Sequence, residues 1–201
     1  MARLALNKAS LSHQMRQLNT FERFLPSLDM KRMQLMAERA RELAAMDSTR
    51  RAGEALREAV TAQIPMLANR EIDLSALVRV KAVRLGEHNV MGTHLPRLEG
   101  VDLEVRDYGY LAKPHWVDRL VEALARMLEL RVQLAVQARR AALLDEAVRK
   151  ITQRVNLFEK VLIPRARENI RQIRIYLGDA ERAAVVRSKI AKRKRQAMGI
   201  T

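Results

Sequence analysis

The side chains best suited to proton transfer or metal binding near neutral pH are four histidines, His13, His88, His94 and His115. Only His88 and His94 share a segment, and no acid or thiol there completes a ligand set at metal spacing. The chain has no cysteine, so neither a disulfide framework nor a thiolate site is available. The phosphate-cradling GxxxxGK[ST] pattern, the zinc-binding HExxH and the nucleophile elbow GxSxG are all missing. Most carboxylates fall on helix faces among arginines, where solvated ion pairs are the ordinary outcome. The sequence therefore carries no catalytic constellation and implies no cofactor and no metal.

Charge is the remaining chemistry. The formal net charge is +15, spread unevenly. Residues 1–68 hold eleven Lys/Arg against seven acids, residues 69–113 seven against seven, and residues 114–201 twenty against nine. A field of that sign attracts an acidic partner: nucleic acid, an anionic membrane surface or an acidic protein cavity. The excess culminates in RSKIAKRKR, with Arg187, Lys189, Lys192, Arg193, Lys194 and Arg195. No aromatic residue interleaves with these cations, so base stacking is not supported. A solvated helix end, docking to an acidic protein surface and nucleic-acid binding remain open, in that order of preference.

The elements that present these charges are long helices. From Trp116 onward, Leu120, Met127, Leu134, Ala141, Val148, Val155 and Leu162 recur every seven residues, with Ala123, Leu130, Leu144, Ile151 and Phe158 three places later. That row is a coiled-coil seam. The start has its own seam of Leu4, Leu11, Leu18 and Leu25, with Gln14, Phe21, Leu28 and Leu35 three residues on. After Leu35 the apolar row reads as drifting to Met36, Ala40 and Leu43, which implies a local change of supercoil. This first helix is expected from Ala2 to Leu67, bent at Pro26, with a break near Asp47-Ser48-Thr49 where side-chain oxygens can cap a fresh start. Met15, Met30, Met33, Met36 and Met46 read as adaptable packing, surplus ones marking contact with another subunit. Pro65 marks the approach to its end. The second helix starts well at Pro114, is interrupted at Pro164, and stops and restarts at Gly178-Asp179.

The centre differs. It holds four of the seven glycines: Gly86, Gly92, Gly100 and Gly109. Residues 78–83 alternate apolar and basic, and 101–105 alternate apolar and acidic, so the two could pair with opposite charges facing. The stretch from Gly86 to Gly100 is long for a hairpin loop, so a small β-element and an irregular lobe both stay open. The expected organisation is residues 1–68 as an N-terminal coiled-coil helix, 69–113 as an insert, and 114–201 as a C-terminal coiled-coil helix with a basic tail. The fold class is all-α dominated: a long antiparallel two-helix coiled coil, each helix about 100 Å if continuous. Pairing the inner ends near Ile64 and Leu120 sets Leu18 opposite Arg165 or its neighbours. The start MARLALNKAS has no apolar secretory core, and no apolar run reaches the roughly 18 residues that cross a bilayer. The expectation is a cytoplasmic protein, placed beside a membrane only through a partner.

Three segments resemble the D-subunit family of the V/A-type rotary ATPases and ATP synthases: LALNKASLSHQMRQL, the central NVMGTHLP, and RVNLFEKVLIPRARENIRQIRIYL with its Lys-rich end. Their order and spacing span nearly the whole chain. The resemblance implies a non-catalytic central-stalk subunit that couples ATP synthesis or hydrolysis to proton or sodium translocation. It implies partners as well: a ring of catalytic and non-catalytic nucleotide-binding subunits of A and B type, the small F subunit of the stalk, and a funnel-shaped subunit above a membrane rotor ring. Asn89, Gly92 and Pro96 match the central motif, and Asn156 and Pro164 match the C-terminal helix. With Lys189, Lys192, Arg193, Lys194 and Arg195 these are the expected partner-contact residues. The shaft of the F-type ATP synthases encloses a much larger α/β domain than this insert has room for. The competing reading from residues alone is a basic coiled-coil nucleic-acid-binding or scaffold protein.

Overall fold

A computed structural model of the chain describes residues 4–64, 77–106 and 116–197. The elements in order are α1 (Lys8–Gln63), β1 (Val78–Val90), β2 (Thr93–Val105), α2 (Trp116–Leu157), a π-helical turn (Phe158–Leu162) and α3 (Ile163–Ala197). Residues 1–30 with 151–201 form one compact unit and residues 31–150 a second. In each, the N-terminal and C-terminal helices run antiparallel, with the hairpin in the second, so the coiled-coil fold class holds. The features expected at Ala2, Pro65, Leu67, Gly109, Pro114 and His115 lie outside the described residues.

In the second unit the helix pair is closed by a cluster of Ile64, Leu77, Trp116, Val117, Leu120 and Val121, with Val60, Val78 and Leu124 packed against it. Ile64 and Leu120 thus meet as their inner-end pairing requires. The seam of α1 does not drift after Leu35. Leu35, Glu42 and Thr49 are buried at strict sevens, while Met36, Ala40 and Leu43 are exposed. The apparent drift arose because two seam positions are polar. Both are satisfied: Glu42 Oε2 lies 2.9 Å from Arg140 Nε, and the Thr49 hydroxyl donates to the Ala45 carbonyl at 3.0 Å. That back-bond keeps Thr49 inside the helix. The expected break near residue 48 is therefore absent, and α1 runs through it. Gly53 faces the partner helix, where a Cβ would stand 4.0 Å from the Met127 sulfur.

The insert is a two-stranded antiparallel hairpin. Its register pairs Val78 with Val105 and Arg79 with Glu104, which sets opposite charges facing as the alternation allowed. Arg84 meets Asp102 at 3.1 Å. The strands continue through the stretch read as a long loop, because the reversal is confined to Met91 and Gly92. Both carry positive φ, 50° and 77°, the geometry of a two-residue primed turn. Asn89 Oδ1 accepts from the Gly92 amide at 2.8 Å and holds that turn.

In the first unit Asn169 Nδ2 donates to Gln14 Oε1 at 3.1 Å, Arg167 pairs with Glu22 at 2.7 Å, and Lys8 lies 3.9 Å from Glu181. Leu18 shares a groove with Arg167 and Ile170, so it lies beside the near neighbours of Arg165, within the expected pairing. Pro26 sits inside α1. Phe21 and Phe158 meet edge to face, 5.4 Å between centroids. Gly178-Asp179 does not stop the helix: α3 continues to Ala197, with Asp179 paired to Arg182 on its surface.

Candidate partner interfaces

The first surface belongs to the unit of residues 1–30 and 151–201. Two adjoining grooves run along α1 and α3 and share Met15, Asn19 and Arg174. Lys8, Arg16, Arg167, Arg171 and Arg174 line them with Glu22 and Glu181, so an apolar floor carries a charged rim in which cations outnumber acids. The Arg171 guanidinium, then the Gln172 amide, hydrogen-bond Glu168 and hold its carboxyl below the usual glutamate range. From Glu181 to Ala197 every residue of α3 is exposed. Residues 182–197 contain seven cations and no acid. Val185, Val186 and Ile190 stand about half exposed among them. Lys189, Lys192, Arg193, Lys194 and Arg195 all lie on this exposed end of α3.

Asn156 and Pro164 lie lower on the same unit. Asn156 is half-buried, and Pro164 is exposed, one residue past Ile163, the C-cap of the π-helical turn.

The second surface belongs to residues 31–150. Here the structure brings Asn89, Gly92 and Pro96 together with side chains that sequence reasoning missed. Leu95, beside Pro96, is fully buried. The Pro96 carbonyl accepts from Arg140 Nη1 at 3.1 Å, while the same guanidinium holds Glu42. One cation thus ties α1, α2 and β2. The signal for Glu42 was present: counting sevens from Leu35 lands on it. Between hairpin and helix an apolar groove runs past Val83, Leu85, Leu95, Val132 and Val136, with Glu87, His94 and Arg139 at its edge. His94 Nδ1 lies 2.9 Å from Glu87 Oε1 across the strands. On α1, Met33 and Met36 are 64% and 51% exposed, and Leu43 is exposed as well. Met15 and Met30 are also exposed. The packing role read for these methionines fails, because each lies off the buried row; the surplus-contact reading is the one consistent with their placement.

Among the described residues no three His, Cys, Asp or Glu side chains gather at metal spacing, and no helix is long and apolar enough to cross a membrane. Both surfaces carry the exposed apolar and cationic side chains that contacts with other macromolecules use.

Comparison with known proteins gives a consistent result. Residues 10–193 match the family described as the D subunit of ATP synthase. The V-type ATP synthase D subunit of Borreliella burgdorferi is 34% identical over 192 residues, covering 96% of this chain and 95% of the relative. The proteins of the same name from Chlamydia caviae and Chlamydia felis are 29% and 30% identical, each covering 89% of this chain and 87% of the relative.

Proposed function

The chain belongs to the ATP synthase D-subunit family and is a component of a rotary ATPase complex, and from that premise we propose that it is the central-stalk rotor subunit, itself non-catalytic. In this reading it couples ATP synthesis or hydrolysis in a ring of A-type and B-type subunits to proton or sodium translocation. The protein would be cytoplasmic and peripheral to the membrane. The small F subunit and a funnel-shaped subunit above the membrane rotor ring complete its contacts.

The observation that carries the reading is the overhang. Sixteen residues of α3, all exposed, extend beyond Glu181, with seven cations and no acid. A bare helix of that length gains nothing from its own chain. Helical stability comes mainly from packing an apolar face, and Val185, Val186 and Ile190 offer one. A sleeve with an apolar lining and acidic patches would cover the face and complement the charge. Charge complementarity of this kind sets orientation and association rate more than affinity.

The mechanics follow from asymmetry. Two unlike helices inside a three-fold ring contact its three catalytic interfaces differently. Each interface would then favour the conformation that its contact stabilises, and turning the stalk would shift the three populations in sequence. The hairpin residues Asn89, Gly92 and Pro96, and Asn156 and Pro164, are assigned to contacts along the stalk.

Replacing Lys189, Lys192, Arg193, Lys194 and Arg195 by glutamine should weaken assembly with the ring, or the torque, while far-UV circular dichroism and the melting temperature of the isolated protein stay unchanged. ATP-driven rotation at the wild-type rate in the reconstituted complex would remove the overhang from the mechanism.

A further inference from the structure

In the first unit the buried row of the C-terminal helix changes phase. Ile151 and Val155 are buried before the π-helical turn; Ile163, Ala166, Ile170 and Ile173 are buried after it. Seven residues beyond Val155 is Leu162, yet Ile163 takes the seam. Continued without interruption, the earlier phase would bring Arg165 and Asn169 inward, and burying a cation at the seam is costly. The π-turn absorbs the difference. The Ile163 amide bonds back to the Phe158 carbonyl, five residues earlier. Such a turn takes in one residue more than an α-turn. Phe158–Leu162 is therefore a one-residue insertion between two heptad rows that are each regular.

Pro164 follows at once. It has no amide hydrogen, and its ring crowds the carbonyl four residues back, that of Lys160. A π-turn inside a helix can move by passing its wide hydrogen bond to the next amide. It cannot pass through a residue without an amide. Glu159, Lys160 and Val161 are exposed, so carbonyls left without a helical donor there meet water.

We propose that Phe158–Leu162 is a conformational joint, created by the phase step in the seam and pinned at its upper end by Pro164. Twist applied to the helix is taken up at this turn, through exchange of its wide hydrogen bond, before the packed rows on either side yield. The proline fixes where the joint sits, and the phase step is why it exists. This holds for the free protein and does not depend on the rotor reading.

Amide hydrogen exchange by mass spectrometry on the full-length chain tests it with three proteins. In the wild type, peptides covering 158–165 should exchange at least about tenfold faster than those covering 144–155 and 166–173, with a sharp upper boundary, as expected for a local opening between stable rows. In Pro164→Ala the fast zone should persist and spread upward into 166–173. In Pro164→Ala combined with deletion of Glu159 the phases agree, the fast zone should vanish, and the melting temperature should be at or above that of the wild type. Two results overturn the proposal. If Pro164→Ala alone closes the fast zone, the proline makes the turn and the phase step does not. If the double variant melts below Pro164→Ala, the extra residue is a required part of the packing. A wild-type segment that exchanges as slowly as its flanks would equally rule out a joint.

Discussion

The three-way contact at Arg140 gives a quantitative test of how the helix pair and the hairpin are tied. The Arg140 side chain is 15% exposed and that of Glu42 10%. Their 2.9 Å contact is thus nearly removed from water, and the Pro96 carbonyl takes a second guanidinium hydrogen bond. Replacing Arg140 by Met keeps most of the aliphatic volume but leaves the Glu42 carboxylate buried without its cation. Breaking such a pair on one side costs about 3–5 kcal/mol. That far exceeds the loss of about 0–1 kcal/mol at an exposed pair such as Arg126–Glu129. Replacing both partners, Arg140→Met with Glu42→Leu, removes the uncompensated charge and should recover most of the loss. Urea denaturation of the isolated protein at neutral pH measures all three variants, and hydrogen exchange across residues 93–98 reads whether the hairpin has lifted. Arg140→Met should loosen those amides in both the single and the double variant, because the Pro96 carbonyl loses its donor in each. The reasoning fails if Arg140→Met costs no more than Arg126→Met, or if the double variant is no more stable than the single.

Two further outcomes follow from local geometry. Gly53→Ala should stabilise the chain by about 0.5–1 kcal/mol, since glycine inside a helix is that much worse than alanine and the new Cβ would make an ordinary contact with Met127; a loss of stability in thermal melts would show that the helices need the bare backbone there. In an NMR titration Glu168 should ionise below an ordinary glutamate. Its folded pKa is depressed, so any stabilisation is present above the unfolded value and fades as the pH falls through the folded one; Arg171→Gln should raise the midpoint, and an unmoved midpoint would refute the assignment to Arg171.

The helices and their antiparallel pairing were legible because heptad periodicity is a long, redundant signal. Leu120, Leu130, Leu144, Ile151 and Val155 were all identified from spacing alone, and all are buried. The errors have a common origin. Local cues for a break, at Asp47-Ser48-Thr49 and at Gly178-Asp179, each suggested a cap, but a cap is favoured only where the helix has reason to end. At residue 48 the seam of a partner helix carries α1 onward. At Gly178 a single glycine costs about 1 kcal/mol, which a long helix tolerates. The hairpin was half legible: charge alternation indicated that the two segments could pair, but the glycines at 86 and 100 suggested a loop where Gly86 pairs with Arg97 and Gly100 with Arg84.

The contact residues show a different limit of sequence reasoning. Periodicity finds what a helix packs against when the partner is apolar, and it passed over Glu42 because a buried carboxylate is readable only with Arg140 beside it. It misread Met33 and Met36 for the converse reason, since apolar type was taken as burial. A coiled coil has one seam, so apolar residues in excess of that seam must face something else. The chain has such a surplus in both units: Met33, Met36 and Leu43 in one, Val185, Val186 and Ile190 in the other. The resemblance named Pro96 and Pro164 as sites of contact with other subunits. In the structure Pro96 lends its carbonyl to Arg140, and Pro164 follows Ile163, whose amide closes the π-turn onto the Phe158 carbonyl. Both prolines thus have work inside the chain, one seating the hairpin and one bounding the proposed joint, in addition to the contacts along the stalk proposed for them.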